Sequence, residues 1–286
     1  LMELGHQFLI VDEWDDLSAF RLLILPDHVY VTEGLTEMLR EFLAEGGKIV
    51  ASYASGRSIK DDVCPIPEWP VIWLGESQYS VNYLRPVDGK LSPGIEEYDY
   101  VLYEPAASVE ALPDANILAT VVEPYFERTA SHFCSHRQTP PARDSGRPAV
   151  VKTEKIIYFA APVFRAYRRF GNLIYKLLLK NAINHLMPKP VLSHNLPSTA
   201  EITVRRRGSH YIVHLLHYVP QRRADIDIVE DALPLTDLQI GILGHATQAY
   251  LLPQKEKLAI RYHDGYTKVT IPAIKGHPHI VFETSS

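Results

Sequence analysis

A change of hydrophobic period about two thirds of the way along the chain most constrains its fold. Before this point, short apolar runs alternate with segments of helical period. Beyond residue 199, only short strand-like segments follow, separated by Gly, Pro and His-Asp-Gly turns. A Pro- and Ser-rich stretch, Met187–Thr199, separates the two patterns. We therefore predict an α/β domain over residues 1–188, a linker over 189–198 and a second domain over 199–286.

A strand–helix–strand unit is the clearest signal in the first part. The apolar run Arg21–Pro26 is followed by Thr32 as a candidate N-cap and by Leu35, Met38, Leu39, Phe42 and Leu43 at helical spacing. Gly46-Gly47 ends this helix, and Lys48–Tyr53 is the next apolar strand. Such a unit is a βαβ crossover, which predicts a doubly wound parallel sheet.

Four further strands and one long amphipathic helix complete the prediction for the first part. The strands are predicted at Gln7–Val11, Tyr98–Tyr103, Ile117–Val122 and Lys155–Ala160. The helix is predicted from an apolar stripe that runs from Phe164 to Ile183. In the second part, seven short strands follow one another without a helix-period segment, which predicts an antiparallel β-sandwich.

Composition excludes several classes of function. The 286 residues are 46% hydrophobic and 22% charged, with a net charge of −5, so no concentrated basic face favours nucleic acid. Two cysteines indicate a reducing compartment, and no apolar run is long enough to cross a membrane. The start "LMELGHQFLIV" lacks signal-peptide features and resembles the end of a helix, so we expect a cytoplasmic protein that continues upstream.

The string "SHFCSHRQTPP" carries the densest chemistry in the chain. It places His132, Cys134 and His136 at alternate positions, which on a strand would aim three ligand atoms to one face. Glu127 or His28 is a candidate fourth ligand. Because the flanking residues are typical of a loop, a metal site is the minority interpretation, and we expect neither metal nor cofactor.

Nucleophilic catalysis is a second interpretation of this string. Cys134 would need a nearby cation, such as His136 or Arg128, to lower the pKa of its thiol. Ser52 or Ser55, in the turn after the strand Lys48–Tyr53, is an alternative nucleophile, but neither lies in a G-x-S-x-G frame. A structured loop whose histidines form hydrogen bonds is the simplest interpretation.

Glycoside hydrolysis needs two carboxylates that flank a cleft, and no such pair is evident. Glu96-Glu97 and Asp61-Asp62 are adjacent in sequence, which is typical of solvated loop charges, and Pro124 discourages a helix that would bring Glu123 and Glu127 together. The stretch Trp69–Pro86, which includes Tyr83 and Arg85, fits either carbohydrate stacking or a hydrophobic core.

Several strings together are similar to a known family. "FRLLILPDHVYVTEGLTEMLREFLAEGGKIVAS" resembles the trimerisation domain of family 42 β-galactosidases. "ESQYSVNYLRP", "PYFERTASHFCSHRQTPP", "KIIYFAAPVFRAYRRFG" and "IVEDALPL" resemble the C-terminal half of glycoside hydrolases grouped with family 151 α-L-fucosidases. This resemblance implies a flavodoxin-like fold of the class I amidotransferase type without that chemistry, followed by a β-sandwich.

The same resemblance implies a non-catalytic role. In that family an N-terminal (β/α)8 barrel holds the catalytic carboxylates, so this chain alone is expected to be inactive. Carbohydrate would bind through the parent enzyme, and the expected partners are that barrel and further copies of the chain, in a trimer or another closed homo-oligomer. The candidate substrate-rim or inter-module contacts are His132, Cys134, His136, Arg128, Tyr83 and Arg85.

Overall fold

The computed structural model describes residues 1–87 and 93–285. It forms two compact units, Val11–Pro188 and a second unit built from Leu1–Ile10 and the chain from Lys189 onward. In the described residues, no helix is both long enough and apolar enough to span a membrane.

In its described residues, 11–87 and 93–188, the first unit contains nine strands and three α-helices. The strands are β1 (Leu22–Leu25), β2 (Lys48–Ser52), β3 (Val71–Glu76), β4 (Asn82–Pro86), β5 (Tyr100–Leu102), β6 (Ala107–Ala111), β7 (Asn116–Pro124), β8 (Pro141–Lys152) and β9 (Ile156–Phe159). The helices are α1 (Glu33–Ala44), α2 (Val163–Phe170) and α3 (Leu173–Leu186), with a short 3-10 helix at Leu17–Ala19.

A seven-stranded mixed sheet organises this unit, in the order β1-β2-β9-β8-β7-β4-β5. Among the strands that the structure describes, β1, β2 and β9 pair in parallel and the other four strands of this sheet join antiparallel. Strand β3 pairs with β6 in a separate two-stranded sheet. The predicted doubly wound parallel sheet is therefore confirmed only for β1, β2 and β9, and the antiparallel pairing of the other four strands corrects it. Short connections such as the one between β8 and β9 leave no room for a crossover, so these strands pair antiparallel.

The βαβ unit is confirmed. Thr32 accepts a hydrogen bond from the Leu35 amide through its hydroxyl and so caps α1. Leu39, Phe42 and Leu43 of this helix are buried in one cluster with alternate residues of β1, β2 and β9. Helix α3 also lies against β2 and β9. The residues of these strands that point away from α1, such as Phe159, are fully buried as well.

Two predicted elements differ from the structure. The long helix from Phe164 to Ile183 is divided into α2 and α3 at Gly171, which has φ +66°. An L-residue rarely adopts that conformation, so glycine ends α2 there. The predicted strand Gln7–Val11 is not a strand, and Ile10 is 94% exposed. Among the described residues, no strand pairs with this apolar run, so its backbone has no partner that would make it a strand.

In its described residues, the second unit consists of two antiparallel sheets and one small hairpin. Its strands are β10 (Leu192–His194), β11 (Glu201–Arg207), β12 (His210–Leu216), β13 (Gln221–Arg223), β14 (Ile226–Ile228), β15 (Leu235–Leu243), β16 (Gln248–Leu252), β17 (Glu256–Leu258), β18 (Ile260–His263), β19 (Tyr266–Ile274) and β20 (His279–Glu283). The sheet orders are β10-β15-β19-β18 and β11-β12-β20-β16-β17. Inward residues from both sheets share one core, for example Ile240 and Phe282.

The extents of the two units differ from the predicted 1–188 and 199–286 in two places. Residues 1–10 group with the second unit because the Gln7 side chain donates to the Ile202 carbonyl and accepts from the Val204 amide. The expected linker 189–198 contains β10, which pairs with β15. Residues 1–10 contact β11, and β10 pairs with β15. Both contacts join residues that are far apart in sequence, so local composition does not predict them.

Candidate functional site

The topology brings several chain segments to one edge of the seven-stranded sheet. Because β7 runs parallel to β9, its end at Pro124 lies at the same edge as the carboxyl ends of β1, β2 and β9. The start of β4 and the end of β5 lie there as well, since both pairings are antiparallel. In open α/β sheets, ligands bind outside the carboxyl ends of the strands, at an edge of this kind.

Asp27, immediately after β1, organises this edge. Its buried carboxylate accepts hydrogen bonds from the Ser52 hydroxyl at 2.6 Å and from the amides of Phe164 at 3.3 Å and Arg165 at 2.6 Å. The carboxylate therefore binds the first turn of α2, where a negative charge stabilises the helix dipole. All of these contacts join β1, β2 and α2, so Asp27 has a structural role.

A buried carboxylate next to two arginines lies at the same edge. The Glu104 side chain, 6% exposed, accepts from Arg165 at 2.8 Å and from Arg169 at 3.3 Å. A second Arg165 nitrogen lies 3.1 Å from His28 Nε2, which must accept because a guanidinium only donates. The arginines are more exposed than Glu104, so this group presents positive charge to solvent.

Tyr53, which follows β2, links this edge to the antiparallel pair of β3 and β6. Its hydroxyl donates to the Glu76 carboxylate in a short hydrogen bond, and its ring packs edge-on against His28 and Trp73. Burial, with the Glu76 bond as a second cause, raises the pKa of Tyr53 above its ordinary value. The phenol therefore remains protonated and acts as a fixed donor. The Arg57 guanidinium lies 3.9 Å above the Trp73 ring.

These contacts leave little for catalysis at the edge. Asp27, Glu76 and Glu104 each have carboxylate oxygens engaged by protein donors. Ser52 is also engaged, and Ser55 accepts from the Val29 amide, so both serines are buried anchors. The sequence predicted that the turns after β1 and β2 lie at this edge. It did not predict the ion pairs of Glu104 with Arg165 and Arg169. Only the return of β5 and the start of α2 bring those residues together.

The string "SHFCSHRQTPP" lies at the tip of a long hairpin. Strand β8 pairs with β9 only through Val150, Val151 and Lys152, whereas its pairing with β7 continues to Pro141. Val150 lies opposite both Phe159, at the end of β9, and Ala119 of β7. Because β7 continues only to Pro124, the paired part of this arm extends at most about 17 Å beyond the end of β9, at about 3.3 Å per residue. We call residues 125–140 the arm loop.

The arm loop is folded by its own contacts. The Cys134 thiol lies 3.6 Å from the His136 carbonyl oxygen and 3.5 Å from that of Gln138, as a donor to both. The His132 ring stacks on Phe126 with their centroids 3.8 Å apart, and its backbone forms a tight turn with Thr129. The Cys134 thiol is thus directed at carbonyl oxygens of its own loop.

Aromatic residues anchor the arm loop to the sheet. Tyr83, buried on β4, donates a short hydrogen bond to the Thr139 carbonyl. The Arg137 guanidinium lies 4.9 Å from the ring centroids of both Tyr103 and Phe170. These contacts connect the loop to β4, to the end of β5 and to α2.

Of the predicted site residues, Arg85 lies apart from the arm loop. Arg85 forms a bidentate pair with Asp99, at 2.7 and 2.9 Å, and lies 3.7 Å from Asp144. Arg128 and His136 are exposed on the arm loop. Of the six predicted residues, His132, Cys134, His136, Arg128 and Tyr83 are brought to the loop or its base. Arg85 instead serves the sheet.

A small cleft lies at the base of the arm loop, with a volume of about 120 Å³. Glu127 closes one side by accepting from the Ser80 amide at 2.9 Å and from its hydroxyl at 2.5 Å. Arg128 and Arg137 also line it. Pockets for small molecules usually hold roughly 300–1,000 Å³, so this cleft is small for a sugar ring.

Neither chemical interpretation of the string gains support from this geometry. In residues 1–87 and 93–285, the ligand atoms of His132, Cys134 and His136 form no close group; the close group of three lies in the other unit. Glu127 is engaged by Ser80. The two tryptophans of the stretch Trp69–Pro86 are packed, Trp69 against Tyr158 and Trp73 as described above, as in a core.

Known proteins share this architecture. Residues 1–187 match the family described as the β-galactosidase trimerisation domain. The α-L-fucosidase isoenzyme 2 from Paenibacillus thiaminolyticus is similar in structure, with a TM-score of 0.93 and 29% identity, over 100% of this chain and 44% of that chain.

Two β-galactosidases are more distant. The enzyme from Rahnella sp. R3 has a TM-score of 0.61 and 17% identity, over 99% of this chain and 35% of its own. The β-galactosidase Pbg from Clostridium perfringens is 24% identical over 237 residues, which are 79% of this chain and 30% of that protein. The chain thus spans less than half the length of these relatives, and it belongs to the β-galactosidase trimerisation domain family.

Proposed function

We propose that this chain is the non-catalytic C-terminal module of a glycoside hydrolase of the α-L-fucosidase or β-galactosidase type. It serves self-association and supports an N-terminal catalytic barrel. The observation that carries the proposal is the match over the full chain to 44% of an α-L-fucosidase, together with the family match over residues 1–187. The parallel strands β1, β2 and β9 with α1 are the part that fits a flavodoxin-like origin of the amidotransferase type.

The carboxylates of the sheet edge support a non-catalytic role. A glycoside hydrolase needs one carboxylic acid and one carboxylate with free access to the scissile bond. Asp27 and Glu104 are instead buried and bonded to backbone amides or arginines. We therefore expect no hydrolysis of aryl-fucosides or aryl-galactosides by the isolated chain. Turnover that disappears in Glu104→Gln or Asp27→Asn would contradict the proposal.

The arm loop is the proposed contact between modules. It extends past the sheet edge and presents two exposed aromatic rings, Tyr125 at 69% and Phe133 at 68% exposure. Arg128 and His136 are exposed beside them. Exposed aromatic residues next to an arginine are typical of protein interfaces.

Light scattering on the purified chain tests self-association. We expect a mass of three chains, or of another closed homo-oligomer, at micromolar concentration. A monomer at high concentration would contradict the proposed oligomer role. Phe133→Ser should weaken the assembly, whereas Ile226→Ser, which changes an equally exposed apolar residue of the β13–β14 hairpin, should not. Equal masses for Phe133→Ser and the unchanged chain would contradict a role of the arm loop in self-association.

A further inference from the structure

Three histidines lie together on the five-stranded sheet of the second unit. His214 on β12 and His279 on β20 are direct cross-strand partners, and their ring centroids are 4.4 Å apart. The ring of His277 lies 4.6 Å from that of His279 and 5.8 Å from that of His214. One ring nitrogen from each histidine lies within 4.8 Å of the other two.

The backbone determines this arrangement. The pairing of β12 with β20 continues past His279, because the Leu215 amide donates to the Pro278 carbonyl at 3.1 Å and His217 to Gly276 at 3.0 Å. In this register His214, His277 and His279 fall on the same face. The alternate residues, such as Val213 and Ile280, are buried in the core, so the histidines occupy the outer face.

We propose that His214, His277 and His279 bind a divalent late transition-metal ion, with Zn²⁺ as the prime candidate, and leave one coordination position to water. Neutral imidazole is a preferred ligand for such ions, and three histidines with one open position are a known zinc arrangement. Zn–N bonds of 2.0–2.1 Å require nitrogen atoms about 3.3 Å apart, so the three nitrogen atoms must approach one another by up to about 1.5 Å. The half-exposed and exposed rings are free to make this rotation.

The electrostatics of the cluster favour the metal-binding form. Desolvation first, and neighbouring histidines second, lower the pKa of His214 and of His279. Both rings are therefore neutral at physiological pH, as metal binding requires. Arg205, on the adjacent strand β11, also contributes to the lowered pKa of His214 and repels a cation. We expect Arg205→Gln to bind Zn²⁺ more tightly than the unchanged chain.

This inference is independent of the proposed function, since it concerns the second unit alone. The test is a Zn²⁺ titration of the metal-free 286-residue chain against a chelating indicator, with metal analysis after dialysis. We expect one Zn²⁺ per chain and a rise of the melting temperature with Zn²⁺, because a ligand that binds only the folded state stabilises it. Co²⁺ should give the visible absorption of a tetrahedral nitrogen site.

Single substitutions locate the site. His277→Ala should lower the Zn²⁺ affinity by at least about tenfold. Loss of a residue that only hydrogen-bonds a metal ligand typically lowers metal affinity by about 10–100-fold, and His277 is a proposed ligand itself. His277 is exposed and lies outside the strands, so its loss should leave the metal-free melting temperature unchanged. His279→Gln, which retains a polar side chain on β20, should weaken binding as well.

Two matched variants serve as controls. His263→Ala changes an exposed histidine of β18 and should bind Zn²⁺ as the unchanged chain does. Cys134→Ser should also bind normally, because the thiol belongs to the arm loop. Zn²⁺ binding that survives both His277→Ala and His279→Gln, or that is lost in Cys134→Ser, would overturn the proposal. So would the absence of a stoichiometric Zn²⁺ in the unchanged chain.

Discussion

Asp27 and Ser52 are joined by two reciprocal hydrogen bonds: the Ser52 hydroxyl donates to the Asp27 carboxylate at 2.6 Å and accepts from the Asp27 amide at 2.8 Å. Asp27 adopts φ +53°, a conformation that Asp and Asn tolerate better than most residues. The pair connects the ends of β1 and β2, and the same carboxylate binds the start of α2.

Replacing this carboxylate should destabilise the first unit. In Asp27→Asn the amide group cannot accept as many bonds as the carboxylate and carries no charge to the α2 terminus. A hydrogen bond to a charged group contributes about 1.5–3 kcal/mol, and we expect a loss of this order in the free energy of unfolding by urea. Asp114→Asn, at an exposed turn, should have no effect. A loss of equal size in both variants would contradict the role assigned to Asp27.

Gly171 and Gly34 should respond in opposite directions to alanine. Gly171 has φ +66° at the end of α2, so Gly171→Ala should lower the free energy of unfolding by about 1–2 kcal/mol. Gly34 lies in the first turn of α1, with helical neighbours and space for a methyl group. Gly34→Ala should raise the free energy of unfolding by up to about 1 kcal/mol. Chemical denaturation of both variants measures the two signs.

Cys64 should make stability fall at alkaline pH. Burial raises the pKa of its thiol to about 12, above an ordinary value near 9. Between these two values the unfolded chain has lost the proton that the folded chain retains, so stability decreases as the pH rises above about 9. Cys64→Ala should show a shallower decrease of melting temperature between pH 9 and pH 11. Identical slopes would contradict the assignment to Cys64.

The same cysteine should resist alkylation. At pH 8 the Cys64 thiol is almost wholly protonated, and the thiolate is the reactive form. Mass spectrometry after brief treatment with iodoacetamide should find Cys64 unmodified in the native chain and modified after unfolding in urea. Rapid native labelling of Cys64 would show that its surroundings are open to solvent. Rapid labelling of Cys134 at neutral pH would revive the nucleophile interpretation.

Tyr83→Phe should loosen the arm loop without unfolding the sheet. The substitution removes the donor to the Thr139 carbonyl and leaves the buried ring in place. A neutral hydrogen bond contributes about 0.5–1.5 kcal/mol, so we expect faster hydrogen exchange in residues 125–140 and a small loss of global stability. Unchanged exchange in the loop would mean that Arg137 and the internal contacts suffice to hold it.

Local patterns determined much of this protein. The apolar runs at β1 and β2, the cap at Thr32 and the glycine stop after α1 are each encoded within a few residues, and the structure contains them. The change to short strands beyond residue 199 likewise follows from period and turn residues. Strings such as "PYFERTASHFCSHRQTPP" indicated a resemblance to glycoside hydrolases, and the match of residues 1–187 to the β-galactosidase trimerisation domain confirms it.

Only the tertiary structure decided the antiparallel half of the first sheet, the partners of Glu104 and the histidine cluster. Pairing direction depends on how the chain returns, and the ladder that joins β12 to β20 brings together His214 and His279, 65 positions apart. The apolar run Gln7–Val11 has the pattern of a strand, but no strand in the described part of the chain pairs with it. Periodicity reports which face a residue occupies, whereas contact between distant residues depends on register, which no local window contains.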